Sequence, residues 1–249
     1  MIPTHLLRSI LITSILFAPL AVAAKPVTLE AADGVKVQGD YLPDSAGSTS
    51  DRPVILLFHM ASSNRGEYAG IASRLNGLGF DTLAIDQRSG GRNFRQDNET
   101  VKGLGRSTGF LDALKDLEAA TAFARRSGTN RKIIVWGSSY SASLVFALAA
   151  KEPNGIVGLL AFSPGEYFGT ALNVKKAAGA LTIPVFVTSA SDPGEVQEAK
   201  AIVESTKGRK TQFIPKAGLH GSSTLREDAN RAGAAENWAA VEAFLKTLK

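Results

Sequence analysis

The part of the sequence that most constrains the fold is the stretch 133–143, where an apolar run meets a turn of small residues. Its first four residues, Ile-Ile-Val-Trp, form a continuous and largely β-branched run, which is typical of a buried strand. A helical pattern begins immediately after the turn, and Gly137, Ser139 and Ser141 stand at alternate positions between the two. Small residues are needed where a strand turns directly into a helix, because the two backbones pass very close there. The stretch therefore predicts a serine on a sharp turn at the end of a buried strand.

The first 24 residues have the features of a secretory signal peptide. Arg8 gives a basic start, residues 10–17 form an apolar centre, and residues 21–24 supply small side chains at a cleavage point. The apolar centre is shorter than the ~20 residues that span a membrane. We therefore expect residues 25–249 to be a single secreted or periplasmic domain without stable membrane insertion after processing. An uncleaved N-terminal anchor is the alternative.

Charge and cysteine content exclude several classes of protein. The formal net charge is +5, but the Lys and Arg residues are interspersed with acids and form no concentrated basic stripe. No aromatic platform accompanies them, so nucleic-acid binding is not expected. The chain has no cysteine, which excludes thiol chemistry, disulfides and thiolate metal sites.

Strands alternate with helical patterns along the whole domain. Two short alternating runs around Asp33-Gly34 predict an N-terminal hairpin. Continuous apolar runs predict buried strands at 54–58, 81–85, 133–136, 156–162 and 184–188, with a short strand at 211–215. Helical patterns cover about 67–78, 111–128, 195–206 and 238–245, whereas 92–108 is interpreted as a long loop and 165–182 as a short connection with at most one helix. The prediction is an α/β fold, with a mostly parallel twisted sheet, helices on both faces and little or no lid.

A nucleotide-binding fold is the competing interpretation, because its glycine loop also follows a strand and opens a helix. The stretch 133–143 contains neither G-x-G-x-x-G nor G-x-x-x-x-G-K-[ST]. Gly103 and Gly105 supply only the first two glycines of the dinucleotide motif, and they follow a polar loop. We therefore do not expect a nucleotide or dinucleotide cofactor.

The five residues from Gly137 to Ser141 resemble the G-x-S-x-G nucleophile elbow of the α/β-hydrolase superfamily, particularly its small dienelactone-hydrolase-like members. Ser141 replaces the usual second glycine. The resemblance implies an α/β-hydrolase fold, Ser139 as the nucleophile, and no metal or organic cofactor. Dienelactone hydrolases usually carry cysteine at the nucleophile position, so the serine indicates general esterase chemistry. A serine-rich strand–helix junction without chemistry is the alternative.

A serine hydroxyl needs a base to take its proton, and the base needs a third group to orient it. In α/β-hydrolases the chain order is Ser, then acid, then His. His220 fits that order in a Gly-flanked loop after the last strand, with a solvated loop histidine as the alternative. Asp192 follows the strand between the elbow and the histidine and is the predicted acid, with Glu195 as the fallback. The alternative for Asp192 is a turn aspartate before Pro193.

The oxyanion of a tetrahedral intermediate needs two pre-positioned donors, each typically worth ~3 kcal/mol. The resemblance assigns one to the backbone N–H of Tyr140, the residue after the nucleophile. The second comes from the loop after His59, which matches the family's His-Gly oxyanion motif and is expected to be structural. Within that loop Ala61 is the predicted donor. Met60, which replaces the family's glycine, remains the alternative.

Together these residues predict an exported serine hydrolase that cleaves a small carboxylic ester or lactone through an acyl-enzyme. A peptidase or a thioesterase would use the same residues. A hydrolase-fold binding protein without turnover is a third possibility, and its expected mark is a missing triad member.

The stretch 86–108 bears on the charge of the substrate, because it leaves the carboxyl end of a strand, where ligands bind in doubly wound sheets. Its cations outnumber its acids after Asp86: Arg88, Arg92, Arg95, Lys102 and Arg106 stand against Asp97 and Glu99. Arginine binds carboxylates in a two-pronged fashion, so an acidic substrate is one hypothesis. The other is a solvated loop whose charges serve only solubility.

Overall fold

Eight strands form one sheet in a computed structural model that describes residues 23–43, 52–128 and 130–249. The strands are β1 (Lys25–Glu30), β2 (Lys36–Leu42), β3 (Val54–Phe58), β4 (Asp81–Ile85), β5 (Ile133–Ser138), β6 (Ile156–Phe162), β7 (Val185–Thr188) and β8 (Lys210–Phe213). Their order across the sheet is β1-β2-β4-β3-β5-β6-β7-β8. The predicted hairpin β1–β2 is confirmed; it joins the sheet antiparallel to β4, and all later pairs are parallel.

Helices connect the parallel strands, as predicted. They are α1 (Ala69–Gly77), α2 (Glu99–Leu104), α3 (Leu114–Arg126), α4 (Tyr140–Lys151), α5 (Val174–Ala178), α6 (Pro193–Glu204) and α7 (Ala234–Leu245). Short 3-10 helices lie at Arg65–Tyr68, Phe110–Ala113 and Gly221–Leu225. The prediction of a continuous loop over 92–108 is wrong, because Asn98 caps α2 by accepting a hydrogen bond from the N–H of Val101. A helix of six residues is too short to show an apolar period in the sequence.

The sheet separates two hydrophobic cores, and successive residues of its central strands point into opposite ones. On β3, Leu56 and Phe58 contribute to the core under α3 and α4, whereas Ile55 and Leu57 contribute to the core under α1 and α7. Because both faces are covered, a polar residue on either face of the strand would lie in a core. This explains why the central strands read as unbroken apolar runs.

The carboxyl ends of the parallel strands meet at one edge of the sheet, and the predicted site residues lie there. Ser139 follows β5, Asp192 follows β7, and His220 follows β8 after a connecting loop. The fold thus brings segments that are far apart in sequence to one place.

None of the helices in the described ranges is long and apolar enough to cross a membrane. The predicted signal peptide, residues 1–24, lies outside the described residues except for Ala23 and Ala24, which are exposed and precede β1.

Candidate active site

Ser139 sits on the sharp turn that the sequence predicts. Its backbone has φ 58° and ψ −125°, a conformation that is uncommon and strained for a residue with a side chain. A hydrogen bond from its N–H to the carbonyl of Phe162, 2.8 Å long, helps hold the turn. Gly137 is required by close approach, because a Cβ there would lie 2.3 Å from the carbonyl oxygen of Ser141. The turn therefore matches a nucleophile elbow in conformation as well as in sequence.

Ser141, the departure from the usual glycine, has a structural use in this chain. Its hydroxyl donates to the carbonyl oxygen of His59 at 2.7 Å and accepts from Nε2 of Gln87 at 2.6 Å. These two hydrogen bonds join the start of α4 to the ends of β3 and β4. A glycine at this position would lack both contacts.

His59 is a fully buried, neutral side chain. Burial lowers its pKa to about 4, so the imidazole is uncharged at neutral pH. Its Nε2 accepts from the N–H of Gln87 at 2.9 Å, which leaves Nδ1–H to donate to the carbonyl of Met60 at 2.8 Å. Both ring nitrogens are occupied, as expected for a structural histidine.

His220 contacts the nucleophile directly. Its Nε2 lies 2.8 Å from Oγ of Ser139, within hydrogen-bonding distance. Gly221, next in the chain, has φ 70°, and a Cβ there would lie 2.4 Å from Oγ of Ser138. A glycine after the histidine lets the chain turn back beneath the elbow. The imidazole side chain is 43% exposed, so its reactive edge is accessible from solvent.

The acid beside His220 is Glu195, and the assignment of Asp192 is corrected. Oε1 of Glu195 lies 2.9 Å from Nδ1 of His220. Asp192 is instead the N-cap of α6, where its Oδ1 accepts from the N–H groups of Gly194 and Glu195 at 2.9 and 3.2 Å. Capping turns the Asp192 carboxylate toward its own helix. The fallback residue of the sequence analysis therefore occupies the predicted position of the acid.

The hydrogen bonds of Glu195 favour its ionised form. Burial alone would raise its pKa, but hydrogen bonds from Ser163, His220 and the N–H of Ala190 outweigh burial, and the pKa lies below its ordinary value. The Ala190 N–H donates to Oε2 at 3.1 Å, which leaves Oε1 for the histidine. A carboxylate held in this way fixes the tautomer of His220 with its proton on Nδ1.

The two predicted oxyanion donors differ from their neighbours in their hydrogen bonds. The Tyr140 N–H lies at the first position of α4 and has no acceptor within the helix. The Met60 N–H donates to Oε2 of Glu67 at 2.8 Å, so that donor is already used. Within the described part of the chain, the Ala61 N–H has no acceptor. These contacts favour Ala61 over Met60 as the free donor of the loop.

Two buried residues beside the site were not identified from the sequence. Gln87 binds both sides of the elbow, since its Nε2 contacts Tyr140 and Ser141 and its Oε1 accepts from the N–H of His59. Glu67 begins the helical pattern over 67–78, and that pattern gives no sign of a role beside the site. Asp86 and Gln87 are the first two residues after the buried strand β4 and both are polar, and polar residues at that position indicate the carboxyl edge of the sheet.

Of the five cations in the stretch 86–108, Arg88 is not available to bind an acidic substrate. Its guanidinium is 5% exposed and makes hydrogen bonds to both carboxylate oxygens of Asp33, at 2.6 and 2.9 Å, and to Asp116 at 2.9 Å. Arg92 is exposed, and it pairs with Asp97 at 2.9 Å. The guanidinium of Arg88 therefore stabilises the fold and has no pair of N–H groups free to bind a ligand carboxylate.

Three partly exposed apolar side chains lie next to residues of the site. The ring of Phe110 stacks on that of Tyr140 with centroids 4.5 Å apart, and Phe110 is 40% exposed. Tyr167 donates from its hydroxyl to the carbonyl of Ser163 at 2.8 Å, and the residue is 39% exposed. Leu219, beside His220, is 38% exposed. Exposed apolar groups beside a reactive side chain are typical of a ligand-binding surface.

Comparisons with known proteins agree with this fold. A family model described as serine aminopeptidase, S33, matches residues 49–203. An uncharacterized protein of Mycobacterium tuberculosis is 26% identical over 133 residues, which are 53% of this chain and 43% of that protein. The chain thus matches less than half the length of this relative.

Solved structures show the same fold at low sequence identity. The dienelactone hydrolase of Anabaena variabilis has a TM-score of 0.69 at 14% identity, covering 92% of this chain and 99% of that one. Est1E of Butyrivibrio proteoclasticus, solved with ferulic acid, has a TM-score of 0.69 at 16% identity, with coverages of 89% and 98%. An esterase of Pyrococcus furiosus has a TM-score of 0.66 at 18% identity, with coverages of 93% and 94%.

The family match covers more than half of the chain, and the strained Ser139 turn lies within it. The predicted α/β-hydrolase fold is confirmed by the sheet order and by the solved structures. The chain belongs to the serine aminopeptidase S33 family of α/β hydrolases.

Proposed function

We propose that this protein is an exported serine hydrolase that cleaves small carboxylic esters or lactones through an acyl-enzyme. The observation that carries the proposal is the 2.8 Å contact between Nε2 of His220 and Oγ of Ser139 on the strained turn. Glu195 completes the arrangement from the other side of the imidazole at 2.9 Å. A hydroxyl, a base and an orienting carboxylate in this order are the parts that acyl transfer requires.

The proposed reaction proceeds in two halves. Oγ of Ser139 attacks the carbonyl carbon while Nε2 of His220 takes the hydroxyl proton, and the C=O electrons move onto the oxygen. The Tyr140 and Ala61 N–H groups bind that oxyanion, and Glu195 stabilises the imidazolium. Collapse expels the alcohol, which receives the proton from His220. In the second half, His220 takes a proton from water as the water oxygen attacks the acyl carbon. The bond from that carbon to Oγ of Ser139 then breaks, Oγ recovers the proton from His220, and the carboxylic acid leaves.

The surroundings of the nucleophile favour an uncharged, partly apolar substrate. Phe110, Tyr167 and Leu219 offer apolar surface for the acyl or alcohol group. The ring of Tyr167 lies beside Glu198 and Glu195, whose negative charges add to burial in raising its pKa to about 12. Negative charge at this edge repels an anionic substrate, and Arg88 is unable to compensate.

A second candidate is hydrolysis of an amide at an amino-acid residue, which the description of the family model favours. Peptidase and esterase chemistry would use the same Ser139, His220 and Glu195. The two differ in the leaving group, because an amine must be protonated as it departs. Parallel assays with a 4-nitrophenyl ester and an amino-acid 4-nitroanilide separate them.

The deciding experiment is the turnover of short-chain 4-nitrophenyl esters by the protein without residues 1–24. We expect hydrolysis by the wild type, and Ser139→Ala and His220→Ala should each lower kcat by at least ~10³-fold, because the triad acts as a unit. Thermal unfolding of each variant checks that it is folded. An inactive wild type, or a folded Ser139→Ala with wild-type turnover, would contradict the proposal.

Export is supported by the sequence of residues 1–24 alone. Processing would leave a mature chain that begins at Ala24 or Lys25. Intact-mass measurement of the protein from a bacterial secreting host tests this point. A mass that retains residues 1–23 in the periplasmic or medium fraction would count against cleavage.

A further inference from the structure

A buried carboxylate that the proposed reaction does not use lies directly beneath the elbow. Glu67 belongs to the 3-10 helix Arg65–Tyr68, and no part of it is exposed. Its Oε2 accepts from the N–H of Met60 at 2.8 Å, and its Oε1 accepts from the hydroxyl of Ser138 at 2.7 Å. Burying a carboxylate costs free energy even when it is hydrogen-bonded. An apolar side chain would fill this place in the core at lower cost, so packing alone does not explain a carboxylate here.

The contacts of Glu67 extend to the segment that carries the base. The N–H of Ser222 donates to Oγ of Ser138 at 2.8 Å. The Ser222 hydroxyl oxygen accepts in turn from the indole of Trp136 at 2.9 Å. Glu67 therefore joins three segments that meet at the site, namely the loop after β3, the last residue of β5 and the turn after His220.

The two peptide planes that flank Met60 are both fixed. On one side the Met60 N–H is bound by Glu67 at 2.8 Å, and on the other the Met60 carbonyl accepts from Nδ1 of His59 at 2.8 Å. The second of these planes contains the Ala61 N–H. With both planes held, that N–H has a defined direction before any substrate arrives, which is what an oxyanion donor requires.

We propose that Glu67 is a positioning residue for catalysis, whose carboxylate holds the Ala61 N–H in register with Ser139 and His220. The inference rests on the proposed function, in which Ala61 binds the oxyanion. Glu67 itself does not touch the substrate. It acts through the Met60 N–H on one side and through Ser138, the neighbour of the nucleophile, on the other.

The protonation of Glu67 bears on this role, since a protonated carboxyl must donate one hydrogen bond and accepts fewer. Burial raises its pKa to about 7, against the hydrogen bonds from Ser138 and the Met60 N–H and the charges of Arg226 and His220. Arg226 donates to the carbonyl oxygens of Gly66 and Glu67, at 3.3 and 3.2 Å. The other titratable groups that face Glu67 are the phenols of Tyr68 and Tyr140.

Glu67→Ala, Glu67→Gln and the control Asp86→Asn test the proposal. Asp86 is an equally buried acid that accepts from the N–H groups of Arg65 and Glu99, each at 2.8 Å, and pairs with the guanidinium of Arg65. It thus holds the first residue of the 3-10 helix that carries Glu67, but it makes no hydrogen bond to Met60, Ser138 or Ser222. For each variant kcat and KM are measured with a neutral ester, below its unfolding temperature and over pH 5–9. Hydrogen exchange of the peptide that contains residues 59–64 is measured in parallel.

We expect Glu67→Ala to lower kcat by about 10- to 100-fold with KM changed by less than about threefold, because small misplacements act on the transition state. Glu67→Gln should recover most of this loss, since its Oε1 still accepts from the Met60 N–H and its amide donates to Ser138. Its kcat–pH profile should lack one of the wild-type ionisations. Asp86→Asn should lower the unfolding temperature and leave kcat within about threefold of the wild type.

Two results would overturn the proposal. One is a folded Glu67→Ala with wild-type kcat and unchanged exchange at 59–64; the other is an equal loss of kcat in Asp86→Asn, which would indicate general loosening. Failure of the proposed function is separable, because it appears as a wild type without esterase activity. In that case faster exchange at 59–64 in Glu67→Ala alone still shows that Glu67 holds this loop, whereas equal exchange contradicts it.

Discussion

The carboxylate of Glu195 lies 2.9 Å from Nδ1 of His220, while Asp192, three residues earlier, caps the helix that carries Glu195. The two acids are close in sequence and serve different purposes. Asp192 satisfies the free N–H groups at the start of α6, and Glu195, in the first turn, faces the imidazole. The distinction can be tested with one substitution at each position.

Glu195→Gln should lower kcat/KM for a neutral ester on the order of 10³-fold, because the amide no longer stabilises the imidazolium and can favour the wrong tautomer. Asp192→Asn should retain activity, since asparagine is also a good N-cap. Asp192→Ala should lower the free energy of unfolding by about 1 kcal/mol and change kcat little. Steady-state kinetics and urea unfolding on the same preparations measure both effects. Loss of activity in Asp192→Asn with an active Glu195→Gln would reverse the assignment.

Arg88→Ala should destabilise the protein by about 3–5 kcal/mol, because it leaves Asp116 buried without its charged partner. The Asp116 carboxylate is fully buried, and it accepts from the backbone N–H of Arg88 as well as from its guanidinium. The matched control is Arg92→Ala, whose side chain is 74% exposed and should change stability by less than about 0.5 kcal/mol. Chemical unfolding measures both. Equal, small effects would show that Arg88 remains free for another role.

Stability should depend on pH through Glu67. Burial raises the pKa of this carboxyl to about 7 from an ordinary value near 4.5, so the folded protein binds the proton more tightly than the unfolded chain does. Protonated Glu67 therefore adds to the free energy of unfolding. This contribution is fully present below about pH 4.5 and is lost as pH rises through about 7. Over this range it amounts to roughly 3 kcal/mol, at about 1.4 kcal/mol per pKa unit. Glu67→Gln should lack this fall, so its stability relative to the wild type should increase between pH 5 and 8. Parallel curves for the two proteins would show that Glu67 does not titrate there.

A neutral ester should be preferred to its analogue with a free carboxylate on the acyl chain by at least about tenfold in kcat/KM. Glu198 and Glu195 place negative charge beside Tyr167, which repels a carboxylate. Arg88 does not offset this charge, because its guanidinium is paired with Asp33 and Asp116. Raising the salt concentration should narrow the gap by screening the repulsion. A preference for the acidic substrate that disappears in Arg95→Ala would instead support a cationic loop that recognises the carboxylate.

Local patterns were sufficient to predict the fold and the two ends of the proton-transfer contact. The apolar strand before Ser139 and the small residues around it specify the turn, and His220 follows from chain order within the resembled family. These features depend on residues adjacent in sequence or on strand order. Strand order brings the carboxyl ends of parallel strands together whatever the side chains do.

The acid and the buried support could not be read in the same way, because they depend on side-chain direction. Which of Asp192 and Glu195 meets His220 depends on which of them caps α6. The run Asp-Pro-Gly-Glu contains both an aspartate before proline, as at a helix start, and a glutamate in the first turn, so chain order alone leaves both acids open. Glu67 makes hydrogen bonds to Ser138, which lies 71 positions later in the chain, and to Met60, which lies 7 positions earlier. The hydrophobic periodicity of the sequence does not predict side-chain contacts of this kind. Arg88 looked like a ligand group for the same reason, since its partner Asp33 lies 55 residues earlier.

The central claim is that Ser139 is the nucleophile activated by His220, and labelling with a fluorophosphonate tests it most directly. The account predicts a single adduct, mapped by peptide mass spectrometry to Ser139, and its loss in Ser139→Ala. Labelling should slow by at least about 10³-fold in His220→Ala, because the hydroxyl loses its base. An adduct on Ser138, Ser141 or Ser163, or labelling of Ser139 that is as fast in His220→Ala as in the wild type, would contradict the account.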